Sequence, residues 1–348
     1  KNLNGKNQKL QIKKKQEKDF CKSLNLFYSH PLGILYLAGV ARACGFKVEI
    51  LDLHKNFCEM IWNKKIKHES IQSFMYDKIK KKILLHNPVL VSISCLFSMA
   101  SEVAHDVVTF VKKIDTNVKV LMGGGYPTNS PKETLSDHNV DAAIIGEGED
   151  AFNEILCSLD KYSPENYFHN PAIATQQSLD KKIKPVGDKI KDLDNLPYPA
   201  WDLLDNPISY ITGTNRTRSY DLKEKRCISL YTSRGCPFYC TFCASHTVHG
   251  RKLRLHSLDH IFAEIDKLVK AYDINLLLLE DDIFNFNRKR TIDFCKGLID
   301  RWGNRFEIEF PNGIYIPTLD DEVVGWLSRA GVKDVHIAVE SGHQYTLT

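Results

Sequence analysis

Three cysteines, Cys236, Cys240 and Cys243, stand within eight residues in the run Ser-Arg-Gly-Cys-Pro-Phe-Tyr-Cys-Thr-Phe-Cys that starts at Ser233. This C-x3-C-x2-C spacing lets three thiolates wrap one corner of a small iron–sulfur cluster. Thiols so close together make poor disulfide staples for a chain of 348 residues. No secretory signal pattern is present, which also favours a metal site over disulfides. Zinc is the competing use: a structural zinc site takes four ligands, usually in two separated pairs. No second C-x2-C occurs, so His246 or His249 would have to complete it. A cubane held by three thiolates keeps one of its irons open for a substrate or cofactor. The other cysteines (Cys21, Cys44, Cys58, Cys95, Cys157, Cys227 and Cys295) are scattered singly, and each reads as a small buried hydrophobe.

The elements around this loop alternate strand and helix. A strand at 227–232 runs into the loop, and a helix follows with Ser257 as N-cap and Asp259 in its first turn. Next come a strand at 274–279, a helix at 289–302 and a strand at 306–310. A helix at 318–330 is opened by a capping-box-like Thr318-x-x-Asp321 and closed by Gly331, before a last strand at 335–339. Four β units are the start of a (β/α) barrel that the chain does not complete, which predicts an exposed edge at 335–339 and a chain truncated at its C-terminus.

The cysteine spacing, its place after the first strand and the aromatic Phe242 before the last cysteine resemble the radical S-adenosylmethionine (SAM) superfamily. The resemblance implies a [4Fe–4S] cluster on Cys236, Cys240 and Cys243. Its open iron would chelate SAM, and the reduced cluster would cleave SAM to a 5′-deoxyadenosyl radical. It also implies SAM contacts at three strand ends: Glu280 and Asp281 in Glu280-Asp281-Asp282, Asn312 in the run Phe-Pro-Asn-Gly from Phe310, and Glu340 in Ala-Val-Glu-Ser-Gly from Ala338. Polar residues at that end of barrel strands read as functional.

The first half also alternates, with helices at 31–45, 64–85, 101–113 and 151–159 and strands at 47–51, 89–94, 118–122 and 141–145. In 64–85, Ile66, Ile71, Phe74, Ile79 and Ile83 share one face. Near-continuous apolar strands of this kind predict a doubly wound parallel sheet. The runs Pro-Leu-Gly at 31, Asn-Pro-Val-Leu-Val-Ser-Ile-Ser at 87, Gly-Gly-Gly at 123 and Gly-Glu-Gly-Glu at 146 together resemble the cobalamin (B12)-binding domain fused to many radical SAM enzymes. Ser92, Ser94, Gly123 and Gly124 are its implied cobalamin contacts. Asp52-Leu53-His54 imitates a cobalt-binding Asp-x-His, but Phe57 stands where that motif has glycine, so His54 reads as a surface histidine. The buried strand expected before residue 31 has only poor candidates, at 9–12 and 24–28.

The predicted fold class is therefore α/β. A basic polar segment at 1–30 precedes a Rossmann-like cobalamin domain at 31–159; a connector at 160–225 leads to a partial radical SAM barrel at 226–348. The net charge of +4 is misleading, because residues 1–20 hold seven lysines against Glu17 and Asp19, leaving 40 basic and 41 acidic residues elsewhere. A nucleic-acid protein spreads basic charge over a folded face, so nucleic acid is not an expected partner. No apolar run reaches the ~20 residues of a membrane span, and a cytoplasmic location is expected. The expected activity is methyl transfer to an unactivated carbon or phosphorus centre of a small molecule. An electron donor such as flavodoxin or ferredoxin would reduce the cluster. Two alternatives stay open, a cyclase or rearrangement enzyme with the same two domains and a degenerate member that only binds cofactor. No Ser-His-Asp or paired-carboxylate arrangement is evident near the loop, as expected where cofactors carry the hard chemistry.

Overall fold

The computed structural model describes residues 28–62, 71–159, 170–187, 189–213, 225–343 and 345. In the first half, helices α1 (Leu32–Ala43), α2 (Leu53–Trp62) and α3 (Ile71–His86) precede strand β1 (Leu90–Ser94). Then come α4 (Ser101–Ile114), β2 (Lys119–Gly123), the short helices α5 (Gly125–Asn129) and α6 (Pro131–Leu135), β3 (Ala142–Ile144) and α7 (Glu149–Ser158). β4 (Ile173–Ala174), α8 (Gln176–Asp180) and α9 (Pro207–Gly213) follow, in the stretch read above as a connector. β1, β2 and β3 pair in parallel, and β4 adds an antiparallel edge through Ala143↔Ala174.

Alternation along these strands makes two cores. Val120, Met122 and Ala143 face Val107, Val108 and Val111 of α4 and Ile79 and Ile83 of α3. Leu121, Ala142 and Ile144 face Val40 and Ala41 of α1 and Phe152 and Ile155 of α7. Burial on both faces is the reason β2 and β3 read as unbroken apolar runs. Asp141 ties the layers at the sheet's base, accepting from Lys112, Lys119 and the Val120 amide.

The second half comprises β5 (Cys227–Leu230), β6 (Ser233–Arg234), α10 (Ser245–His249), β7 (Arg254–Leu255), α11 (Leu258–Tyr272), β8 (Leu276–Leu279), α12 (Arg288–Trp302), β9 (Glu307–Glu309) and α13 (Asp321–Arg329). β5, β8 and β9 form a parallel sheet with β8 central and its four leucines buried. Ser257 caps α11 as expected, its Oγ accepting from the His260 amide at 3.1 Å. The core is shared between halves: Leu35 and Ala38 of α1 and Trp201 pack in one cluster with Ile228, Ile265, Leu277 and Phe294.

Several expectations are corrected. Residues 46–52 form no strand ladder with described residues, although Ile50 and Val48 are anchored in the cores. Side-chain pattern reports burial, while a strand also needs a backbone partner. The described part of the 64–85 helix starts at Ile71, itself exposed; Ile66 and the candidate strand at 9–12 lie outside the described residues, as do Cys21 and 24–28 apart from the buried Tyr28. Helix α13 is capped by Asp320, which accepts from the Val323 amide at 2.9 Å, and Thr318 instead bonds to Asn285. The fourth barrel strand is absent as a ladder: the sheet's far side carries a single bridge, Ile308↔Val332. Residues 335–339 form no ladder with described residues, His336 O accepting a bond from Ile314 N at 3.0 Å, and Val335, Ile337 and Val339 are exposed. Among the single cysteines, Cys58, Cys95, Cys227 and Cys295 are buried, whereas Cys157 is exposed and Cys44 half-buried beside Asn153.

Candidate cofactor sites

The cysteine loop hangs from a two-stranded base. β6 and β7 pair antiparallel through Ser233↔Leu255 and Arg234↔Arg254, closing the loop between them. Gly235 opens it at φ 97°, and a Cβ there would lie 2.4 Å from the Lys252 carbonyl oxygen, so only glycine fits. Inside, Cys236 N donates to Gly250 O at 3.2 Å and Cys243 N to Cys240 O at 3.2 Å. Arg251 donates to Phe238 O and lies over the Tyr239 ring, 3.9 Å from its centroid. Phe238 packs against Phe286 and Tyr315 from the second and third barrel units. Phe242 is exposed at the loop's tip.

All three cysteines are free thiols, with Cys240 exposed and Cys236 and Cys243 half-buried. Burial pushes the Cys236 thiol up, and the charges of Asp282, Cys243 and Cys240 add to the shift. A thiolate at Cys236 is therefore favoured by cationic company. Among the described residues these thiols do not gather within 4.8 Å of one another. A mononuclear zinc with bonds of about 2.3 Å would hold its thiolates within ~4 Å. The all-thiol donor set fits the corner of an iron–sulfur cubane.

The acidic strand end divides its tasks. Asp281 is buried and turned inward, its carboxylate accepting from Thr232 Oγ1 at 2.8 Å, from Thr232 N at 3.2 Å and from Ser233 Oγ. Burial pushes its carboxyl above the usual range, against those bonds and the Arg290 charge. It thus fastens the corner between β5 and β6. Glu280 is also buried and accepts from Ser229 Oγ at 2.9 Å. Asn312 is exposed at the next strand end, its amide donating to Glu280 O at 3.0 Å. The third acid, Asp282, accepts from Ser245 Oγ at 2.6 Å, and its charge acts on Cys236. Glu340 stands on the exposed segment beyond the sheet, with φ 60°.

In the first domain, Ser92 and Ser94 are exposed on β1, and Leu96, Phe97 and Met99 form an exposed apolar rim beyond its carboxyl end. The glycines after Met122 separate by cause. A Cβ at Gly124 (φ 105°) would sit 2.6 Å from Cys95 O, so the protein's own backbone requires glycine there. A Cβ at Gly123 would meet only Ile144, at an ordinary 3.9 Å, so packing does not require it. A Cβ could thus be accommodated at Gly123, which lies at the same carboxyl edge as the exposed Leu96, Phe97 and Met99. Asp52 caps α2 through Lys55 N at 2.9 Å and accepts from Tyr210 at 2.9 Å, and His54 is exposed and 3.8 Å from Cys58 Sγ.

A buried charge clamp joins the two sites, and sequence reading missed it. Glu147 receives a forked pair from Arg254, both bonds at 2.6 Å, together with His249 Nδ1 at 3.0 Å and Ile190 N at 2.9 Å. Glu149 receives Arg234 at 2.7 Å. Burial opposes ionisation of Glu147, but the bonds from Arg254 and His249 prevail and hold its carboxyl at about 2. Lys189 donates to Val248 O at 2.5 Å, and α5, which follows the glycine turn, packs against α10 of the cysteine loop. The carboxyl edge of the first sheet is thereby fixed to the base of the loop. The Gly-Glu-Gly-Glu run and the two arginines were visible in the sequence, but nothing local pairs them.

Residues 26–156 match the model of the B12 binding domain, and residues 230–348 match that of the Radical SAM superfamily. The chain is 27% identical over 343 residues to the cytidylyl-2-hydroxyethylphosphonate methyltransferase of Streptomyces wedmorensis, covering 92% of this chain and 62% of that protein. It is 25% identical over 328 residues to the anaerobic magnesium-protoporphyrin IX monomethyl ester cyclase of Rubrivivax gelatinosus, covering 91% and 53%. The chain thus spans about half to three-fifths of the length of these relatives. Among solved structures, the cobalamin-dependent S-adenosylmethionine radical enzyme OxsB, with aqua-cobalamin and S-adenosylmethionine bound, shares the fold at a TM-score of 0.68 and 19% identity, covering 93% of this chain and 43% of that one. The radical S-adenosylmethionine methyltransferase TsrM from Kitasatospora setae aligns at a TM-score of 0.62 and 16% identity, covering 88% and 56%. Among the described residues, no helix is long and apolar enough to cross a membrane.

Proposed function

For a chain that belongs to the radical SAM enzymes carrying a B12-binding domain, we propose methyl transfer to an unactivated carbon or phosphorus centre of a small molecule. The observation that supports this reading is the clamp, Glu147 on Arg254 and His249 with Glu149 on Arg234, which holds the carboxyl edge of the first sheet beside the cysteine loop. When bound, SAM at the [4Fe–4S] cluster would supply a carbon-centred radical, and cobalamin would supply the methyl group. The residues of the chain bind and orient these groups. Cys236, Cys240 and Cys243 would hold the cluster, and Gly123, Ser92 and Ser94 would line the cobalamin edge. Asp282 and Glu280 would receive the SAM amino end, with Asn312 bracing the strand ends. The methyltransferase of Streptomyces wedmorensis supports methyl transfer, and the cyclase of Rubrivivax gelatinosus supports a cyclisation on the same two domains.

The stoichiometry of SAM products separates these readings. Methyl transfer consumes two SAM molecules per turnover, so the intact protein, reconstituted with both cofactors and substrate, should yield S-adenosylhomocysteine and 5′-deoxyadenosine in about equal amounts. Deoxyadenosine without S-adenosylhomocysteine would favour cyclisation or rearrangement. Neither product would leave cofactor binding alone.

The cobalamin edge has its own test. Gly123→Ala should fold with an unchanged melting temperature, because its Cβ meets only an ordinary contact at 3.9 Å, and should bind cobalamin on the order of tenfold more weakly. Gly124→Ala should melt lower, with or without cobalamin, because its Cβ would strike Cys95 O at 2.6 Å. Unchanged cobalamin affinity in Gly123→Ala would remove that glycine from the site.

A further inference from the structure

A second cluster of metal-ligating side chains lies outside both cofactor sites. Asp194, His256 and His260 bring one ligand atom each within 4.8 Å of one another, the only such trio of His, Cys, Asp or Glu among the described residues. We propose that these three side chains bind one divalent late first-row transition metal of the zinc class, at the seam between the interdomain stretch and the helix that follows the cysteine loop.

The geometry suits such an ion. Nitrogen and oxygen ligands about 2.1 Å from a tetrahedral metal lie ~3.4 Å from each other. Asp194 Oδ1 stands 3.1 Å from His256 Nδ1 and 3.7 Å from His260 Nδ1, values that bracket this spacing. The first distance is a hydrogen bond; the second is too long for one, yet it aims a second imidazole nitrogen at the same oxygen. The two rings stack at 4.5 Å with 19° between their planes, as side chains four residues apart across a helix start can.

Each ligand is held from outside the trio. Asp194 accepts from Ser257 N at 3.0 and 3.2 Å, and its own amide donates to Asp192 Oδ1 at 3.1 Å. His256 is buried and its carbonyl oxygen accepts from Arg290 at 3.0 Å; the His260 amide donates to the Ser257 cap. Pre-set ligands of this kind raise metal affinity because little has to be ordered on binding. Three protein ligands leave a fourth position for water, and the Asp194 side chain, 31% exposed, gives a way in. Two nitrogens and one oxygen suit zinc, cobalt or nickel better than calcium or magnesium, which take oxygen ligands. Such an ion would tie the turn Leu193–Asn195 to the start of α11, directly after the strand that closes the cysteine loop. The plain alternative is an Asp–His hydrogen bond with the second histidine merely packed beside it.

Cobalt(II) alone, added without oxygen to the full chain, distinguishes these. Cobalt on the cysteine loop shows thiolate charge-transfer absorbance, whereas cobalt on nitrogen and oxygen shows only visible ligand-field bands. The expected result is a thiolate-free cobalt site that zinc displaces. It should weaken tenfold or more in His260→Ala, the loss that even an outer partner of a metal site gives. The thiolate band should be untouched in that variant, while Cys240→Ala should do the reverse. Should His260→Ala fold poorly by circular dichroism, Asp194→Asn serves as the second variant with the same expectation. Absence of a thiolate-free cobalt signal at saturating metal, or affinity unchanged in a folded ligand variant, would overturn the proposal.

Discussion

Replacing Glu147 with alanine should cost the fold about 3–5 kcal/mol, the loss found when one member of a buried ion pair is removed. The Glu147 side chain is 1% exposed, and alanine would strip the Arg254 guanidinium of both forked bonds while keeping it buried. Arg254 would retain only the carbonyls of Ile190 and His249. A double variant, Glu147→Leu with Arg254→Met, should lose less than the single change, because no buried charge is left unpaired. Denaturant midpoints would measure both. A single-variant loss below about 1 kcal/mol, the range of exposed pairs, would contradict the clamp. The sign with pH follows from the lowered acidity: a carboxyl at about 2 in the fold against 4.5 when free stabilises fully above pH 4.5. That contribution fades as pH falls from 4.5 towards 2, so wild type and Glu147→Ala should converge in acid.

Gly235→Ala should remove the cluster while sparing the rest of the protein. The added Cβ would fall 2.4 Å from the Lys252 carbonyl oxygen and 3.1 Å from its carbon, on a residue held at φ 97°. Backbone lies on both sides of that contact, so no side chain can move to relieve it. A strained positive-φ residue costs roughly 1–3 kcal/mol before any clash is added. The two-residue ladder between β6 and β7 has few bonds to set against that, so the loop should open first. Iron content after reconstitution should fall severalfold, with far-ultraviolet circular dichroism close to wild type. Gly33→Ala is the control, since a Cβ there meets nothing within 4 Å and alanine suits a helix better. Full iron content in Gly235→Ala would show that the loop tolerates an open base.

Local signals in the sequence proved the most readable. Ser257 caps its helix as its neighbours imply, and the apolar runs at 119–123 and 276–279 are strands buried within their sheets. Misreadings arose where the answer lay in a partner far along the chain. The clamp joins residues 85 and 107 positions apart, and no periodicity connects a glutamate after one strand with an arginine in another domain. Glu280-Asp281-Asp282 read as one acidic cluster, yet each acid has its own partner: Ser229 bonds to Glu280, Thr232 and Ser233 to Asp281, and Ser245 to Asp282. Residues 335–339 carry a strand's composition and remain outside the ladder, because composition does not specify which backbone is available to pair. Thr318 and Asp320 are both good caps by type, and the amide of Asn285 takes Thr318 away from the helix.

Iron analysis of the reconstituted chain tests the central claim most directly, that the cysteine loop holds a [4Fe–4S] cluster. Protein reconstituted anaerobically should bind about four irons per chain with a broad charge-transfer absorbance, and Cys240→Ala should lose both. Stoichiometric zinc on the cysteines without iron, or a full iron complement in Cys240→Ala, would contradict it.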